Sequence, residues 1–196
     1  MSRVFYSSDE HHLHDLVSEE RGFATVEDHT EWLIDRHNSV VNKRDTVFFL
    51  GDFTLKHPDA VKHITDRLLG RKHLILGNHD KAHPSMRRAH MKVRSYLDLF
   101  QSVQLHGWTE LPGMPGRRVL LSHLPYDGDH EGRDRHTQWR LRDEGLWLLC
   151  GHVHHAWKVR GNQINVGVDQ WPDAPVLADD LAALIRETEA ARGSDA

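Results

Sequence analysis

Five short segments of the chain carry side chains that bind divalent cations or move protons. They are Asp9-Glu10-His11, Gly51-Asp52, Gly77-Asn78-His79-Asp80, Ser122-His123 and Gly151-His152-Val153-His154. Imidazole and carboxylate donors without thiolate suit Mn²⁺, Fe or Zn²⁺ better than Ca²⁺. On extended chain, residues two apart project to the same side, so Asp9 and His11 form one natural pair and His152 and His154 another. Two cations about 3.5–4 Å apart need one bridging carboxylate and several separate ligands. Asp52 stands alone on its segment and is the natural bridge. With Asp9, His11, Asn78, His123, His152 and His154 it makes seven candidate ligands, enough for two open-sided sites. Asp-x-His or Gly-Asp alone is more often a turn. Five such segments in one chain, each after an apolar run, are not a coincidence of turns.

The elements that must position them can be read from periodicity. Val4–Tyr6, Thr46–Leu50 and Lys72–Leu76 are strand-like runs that close on the first three segments. A helix is expected from Thr25, where Asp28 three residues on resembles a capping box, with Leu33, His37, Val40 and Val41 on its apolar face. A second helix should start at Pro58 and end at Gly70, with Val61, Ile64 and Leu68 inward. The second half reads as strands over Ser102–His106, Arg118–Ser122, Leu146–Cys150, Trp157–Arg160 and Gln163–Val168. A helix over Asp179–Arg192 closes the chain. Strand–helix alternation with strands apolar on both faces predicts one layered α/β domain over residues 1–196. In such sheets ligands gather beyond the carboxyl ends of the strands, where the five segments fall.

The bulk numbers remove several classes. At 38% hydrophobic the 196 residues can build a core, and no run approaches the roughly 20 apolar residues of a membrane helix. One cysteine, Cys150, precludes an internal disulfide and predicts a cytoplasmic protein. The net charge of −4 does not call for a nucleic-acid backbone as partner. Most of the 18 histidines are expected at the surface or partly packed, with His12 and His155 beside the ligands.

Taken together, the five segments resemble the motifs of the calcineurin-like metallophosphoesterase family, over residues 4–168. The chain looks like a short single-domain bacterial or phage member. The resemblance implies a four-layer fold, a central two-sheet β-sandwich flanked by helices. It implies two divalent ions (Mn²⁺ first; Fe, Zn²⁺ or Ni²⁺ otherwise). Asp9, His11, Asp52 and His154 would hold one, and Asp52, Asn78, His123 and His152 the other. His79 would protonate the leaving group, oriented by Asp80, while Asn78 and His14 would touch substrate. His14 follows His11 by three, as in members reading Asp-x-His-x-Gly-His, although Leu13 replaces that glycine. The implied reaction is hydrolysis of small phosphodiesters, cyclic nucleotides among them, by a metal-bridging hydroxide.

The rival readings are a nuclease on single-stranded nucleic acid, a phosphoprotein phosphatase and a non-catalytic scaffold. A nuclease should show a basic groove with stacking aromatics, and no Lys/Arg run is present. No membrane partner is expected, and the oligomeric state is left open. Between the fourth and fifth segments lies a charged stretch, Asp127 to Glu144, expected to be a solvated rim over the site that favours diesters.

Overall fold

The computed structural model describes residues 2–130 and 132–194. It is a mixed α/β structure with two five-stranded sheets. In the first sheet, β1 (Val4–Ser7), β2 (Thr46–Phe49), β3 (Arg71–Ile75) and β4 (Ser102–Gln104) run parallel in chain order, and β10 (Val176–Leu177) pairs antiparallel with β1. In the second, β6 (Val119–Ser122), β7 (Trp147–Cys150) and β9 (Gln163–Asn165) are parallel. Here β5 (His106–Thr109) and β8 (Val159–Arg160) form antiparallel edges.

Period-two alternation sorts the side chains. Tyr6, Ile75, Leu121, Leu149 and Ile164 join one buried cluster shared by the two sheets, sealed by Leu181 and Ile185 of α5 (Ala178–Ser194). Their neighbours Phe5, Val47, Phe49 and Leu74 face the other way. They pack with Ile34 of α2 (Val26–Val40), Ile64 of α3 (Lys62–Thr65) and Tyr96 of α4 (Val93–Leu97). Among the described residues no helix is long and apolar enough to cross a membrane.

The α2 start is as expected: Thr25 Oγ1 accepts a hydrogen bond from the Asp28 N–H at 3.0 Å. Other boundaries differ. The expected Pro58–Gly70 helix is a 3₁₀ turn over Pro58–Val61 followed by the single α turn of α3. The expected strand Ser102–His106 is two strands, because the chain leaves the first sheet after Gln104 and enters the second at His106. The β-forming sequence runs unbroken through that corner, so periodicity does not mark it. The ladder of β9 ends at Asn165, and Val166–Val168 instead joins the sheets through a bridge between Ser8 and Gly167. Two short helices went unforeseen, α4 and α1 (Asp15–Glu20), as did strand β10.

His37 illustrates how the core treats histidine. Its ring stacks on Phe49 and its Nε2 lies 2.9 Å from the Leu69 carbonyl. Burial pushes its pKa down to about 4, so the ring is neutral when folded. The unfolded chain, with an ordinary histidine near 6.5, binds the extra proton between those values, so stability falls as pH drops from 6.5 toward 4. The gap is worth up to about 3 kcal/mol. His37→Gln should flatten this slope in the metal-free protein, read as melting temperature against pH. An unchanged slope would show that other groups set it.

Candidate metal centre

All five segments lie just past the carboxyl ends of parallel strands: β1, β2 and β3 in one sheet, β6 and β7 in the other. The loops are laced together by main-chain hydrogen bonds, Asp9 N–H to Gly51 O and His11 N–H to Asp52 O, both 3.0 Å. The backbone there is unusual. Asp9, His11, Asp52, His152 and His154 all have φ between 47° and 71°, the left-handed region where a side chain costs roughly 1–3 kcal/mol. Asp9 and His11 therefore meet through two left-handed residues rather than along an extended strand, which corrects the sequence argument while keeping the pair.

The ligand atoms converge. His11 Nε2 lies 3.9 Å from Asp9 Oδ1 and 3.9 Å from Asp52 Oδ2, and His154 Nε2 lies 3.9 Å from Asp9 Oδ1. On the other side of Asp52, His123 Nε2 lies 3.2 Å from Asp52 Oδ2 and 3.2 Å from Asn78 Oδ1. With bonds of about 2.1 Å, ligands of one ion stand roughly 3–3.5 Å apart, so this spacing is close to what a cation requires. Two groups that could hold a metal ion emerge, Asp9–His11–His154 and Asp9–Asp52–His123. His11 supplies the test of fit. It is buried and, among the described residues, both ring nitrogens lack a hydrogen-bond partner, a costly state that a cation would relieve. Asp52 touches both groups of ligands, the position a bridge must occupy.

Each of the three remaining histidines has its other nitrogen engaged. His123 Nδ1 lies 2.8 Å from the Leu50 carbonyl, His154 Nδ1 lies 3.1 Å from Asp169 Oδ2, and His152 Nε2 lies 3.0 Å from Asp129 Oδ2. Such partners fix the tautomer and turn the opposite nitrogen to a metal. Arg21 clamps Asp169 at 2.8 and 2.9 Å and also donates to the Asp9 carbonyl at 2.8 Å. Burial works against a charge on His123, yet the Asp52 carboxylate lifts its pKa to about 9, and Asp52 is held well below the usual carboxylate range. That buried pair carries a proton which a cation would replace.

Two expected roles change, and His14 takes on an added one. Asp80 does not orient His79: among the described residues its Oδ2 accepts from the Gly77 and Asp52 N–H groups at 2.8 and 3.0 Å, holding the Asp52 loop. His14 lines the cavity over the ligands, as expected of a substrate-contacting residue, and also caps α1 by accepting from the Val17 N–H at 3.4 Å, with its ring edge-on to His11. The charged stretch is not a plain solvated rim. Its Asp129 side chain is 0% exposed and that of Arg140 4%; the two pair with each other, and Asp129 also pairs with His152. Asp129, Asp169 and Arg21 are the residues that sequence reasoning missed. His79 stands where expected, half-exposed, with Nε2 3.9 Å from Asp52 Oδ2.

No protein-family model matches the chain. Two phage proteins align with it almost end to end. The gene 66 protein of Mycobacterium phage L5 is 44% identical over 184 residues, covering 87% of this chain and 88% of its own. That of Mycobacterium phage D29 is 40% identical, covering 96% and 98%. The chain belongs to the gene 66 protein family of these mycobacteriophages. An uncharacterized protein of Methanocaldococcus jannaschii, MJ1445, is 26% identical across 98% of the chain and 96% of its own length. The crystal structure of AQ665, a protein of unknown function from Aquifex aeolicus, matches with a TM-score of 0.71 at 24% identity. It covers 94% of this chain and 100% of its own, and shows a shared fold.

In this gene 66 family member the site opens into a cavity of about 680 Å³ lined by His11, Asp52, His79, His152 and His154, with Leu16 and Val17 at an apolar lip. A close approach beneath it is Gly77, where an added Cβ would lie 2.2 Å from Asp52 Oδ1 and 2.3 Å from the Asp52 nitrogen. The nitrogen is main chain and cannot swing aside. Gly77→Ala should therefore cost about 1–3 kcal/mol of stability and displace Asp52 from both ligand groups. Denaturant melts and metal titration would read both effects. A variant as stable and as metal-competent as the wild type would remove the close approach as a requirement.

Proposed function

We propose that the protein is a dinuclear-metal-dependent phosphoesterase of the calcineurin-like type, acting on small phosphodiesters such as cyclic nucleotides. One observation carries this reading: the donor groups Asp9–His11–His154 and Asp9–Asp52–His123 meet at Asp9, Asp52 also lies 3.9 Å from His11, and among the described residues both His11 ring nitrogens are unpaired. The two-sheet core with α2, α3 and α4 on one outer face supports the four-layer arrangement of that family. Asp9, His11, Asp52 and His154 would hold one ion, and Asp52, Asn78, His123 and His152 the other. Mn²⁺ is the first candidate because the donors mix imidazole and carboxylate without thiolate. When bound, such ions neutralise charge on a phosphoryl group and acidify a water toward neutral pH.

The chain's own residues do the rest. Asp80 fixes the Asp52 loop, so the bridge is set before substrate arrives. His79 stands at the cavity wall with its ring half-exposed, able to give a proton to a leaving oxygen. Its N–H donates to Asp52 Oδ1 at 2.8 Å, which ties the proton donor to the bridge. Leu16 and Val17 offer an apolar surface beside the ligands on which the organic part of a diester can rest.

The test is metal-depleted protein reloaded with Mn²⁺, Ni²⁺, Zn²⁺ or Mg²⁺. Each form would be assayed on bis-p-nitrophenyl phosphate, cyclic mononucleotides, single-stranded oligonucleotides and a phosphopeptide. Metal-dependent hydrolysis of the diester and of at least one cyclic nucleotide is expected. Cleavage confined to oligonucleotides would replace the reading with a nuclease, and cleavage confined to the phosphopeptide with a protein phosphatase. Two bound metals without hydrolysis of any substrate would leave a binding scaffold instead.

A further inference from the structure

Asp129 lies in the charged stretch between β6 and β7, 23 residues before His152, yet its side chain is 0% exposed. Its Oδ2 receives the His152 ring at 3.0 Å, the Arg135 N–H at 3.1 Å and the Arg140 guanidinium at 3.1 Å. Its Oδ1 receives the His130 N–H and the Arg135 guanidinium, both at 2.9 Å. An ionised carboxylate has about four acceptor positions, so this one is full. Asp129, His130 and His152 lie close enough to form a third metal-type group. That reading fails on chemistry: a cation would have to displace two guanidinium partners that repel it.

We propose instead that Asp129 is a positioning residue for the metal centre, tying an otherwise surface loop to one ligand. It rests on the dinuclear reading above. Asp129 accepts from His152 Nε2–H, which leaves the lone pair on Nδ1. His152 thus presents the opposite nitrogen from His123 and His154, whose Nδ1 atoms are engaged with Leu50 and Asp169. The His152 main chain is held as well, its N–H donating to Asp9 Oδ2 at 3.0 Å. With backbone and Nε2 both fixed, the ring has one orientation. Arg140 holds the carboxylate in turn, anchored to the Gly128 and Arg135 carbonyls at 2.9 Å each. The same device recurs at the other end of the motif, where Arg21 clamps Asp169 and Asp169 holds His154. Two ligand histidines of one segment are thus each set by a carboxylate–arginine pair from elsewhere in the chain.

Asp129→Asn is the informative change. An amide of the same shape can present N–H to Nε2 and so favour the Nδ1–H tautomer, which cannot ligate. Mn²⁺ or Zn²⁺ titration by calorimetry should show wild type binding two ions per chain. In Asp129→Asn and Asp129→Ala the weaker step should lose about 10–100-fold in affinity. Asp129→Glu should restore part of that loss. A merely structural role would not give this rescue, nor would it move the tautomer: nitrogen NMR of His152 should report Nε2–H in wild type and a shift toward Nδ1–H in Asp129→Asn. Unchanged affinity in Asp129→Asn, or Nδ1–H in the metal-free wild type, overturns the role of Asp129 while wild-type binding of two ions leaves the dinuclear reading standing. Failure of the wild type to bind any metal overturns that reading and this inference with it.

Discussion

Asp52→Asn should reduce turnover of a phosphodiester to below about a hundredth of wild type and leave no more than one metal per chain. Asp52 Oδ2 is 3.9 Å from His11 Nε2 and 3.2 Å from His123 Nε2, so one oxygen of its carboxylate faces a histidine of each ligand group. Two unit charges 4 Å apart interact by about 4 kcal/mol at an effective dielectric constant of 20, and two dications by four times that, about 16 kcal/mol. A shared anion between them offsets this repulsion, and asparagine carries no charge to do so. The amide retains the shape and an oxygen for the His79 N–H, so the fold should persist by circular dichroism. Metal content after dialysis, measured with activity, decides the matter. Two ions per chain with more than about a tenth of the activity would remove Asp52 from the bridge.

The candidate ligands were legible in the sequence because each segment is contiguous. The spacing of Asp9 and His11, or of His152 and His154, survives any error in element boundaries. The runs Thr46–Leu50 and Lys72–Leu76 announced β2 and β3 within a residue, since each closes on consecutive apolar residues, Val47–Leu50 and Leu74–Leu76, just before its glycine. The corner between Gln104 and His106 was not legible, because β-forming residues continue through it and only the pairing partner changes. Nor was the left-handed backbone at Asp9, His11 and Asp52, as a positive φ outside glycine leaves only a weak trace in residue type.

The supporting groups were hidden for a different reason. Arg21 and Asp169 are 148 residues apart, and neither has a local pattern that marks it. Asp129 and Arg140 sit in a stretch whose charges, counted singly, belong in water. Paired, they are among its most enclosed side chains. Burial of a charge depends on its partner, and partners across a chain are not a local property. Asp80 shows the converse. Its type and place beside His79 suggested one role, while its hydrogen bonds to Gly77 and Asp52 give it another.

His79→Ala separates proton donation from metal holding. The contact that ties this residue to Asp52 is its main-chain N–H, 2.8 Å from Oδ1, and alanine keeps it. Metal content should therefore match the wild type. The ring that is lost lines the cavity, with Nε2 3.9 Å from Asp52 Oδ2, where a leaving oxygen would need a proton. A positioned histidine contributes roughly 10²–10⁴-fold to such a transfer, so hydrolysis of a cyclic nucleotide should slow by about 10²-fold or more. With bis-p-nitrophenyl phosphate the departing phenolate is stable without a proton at neutral pH, and the loss should be far smaller. The ratio of the two losses is the measurement. Equal losses on both substrates would make His79 a phosphate-positioning group, since binding is needed alike by good and poor leaving groups whereas protonation is not.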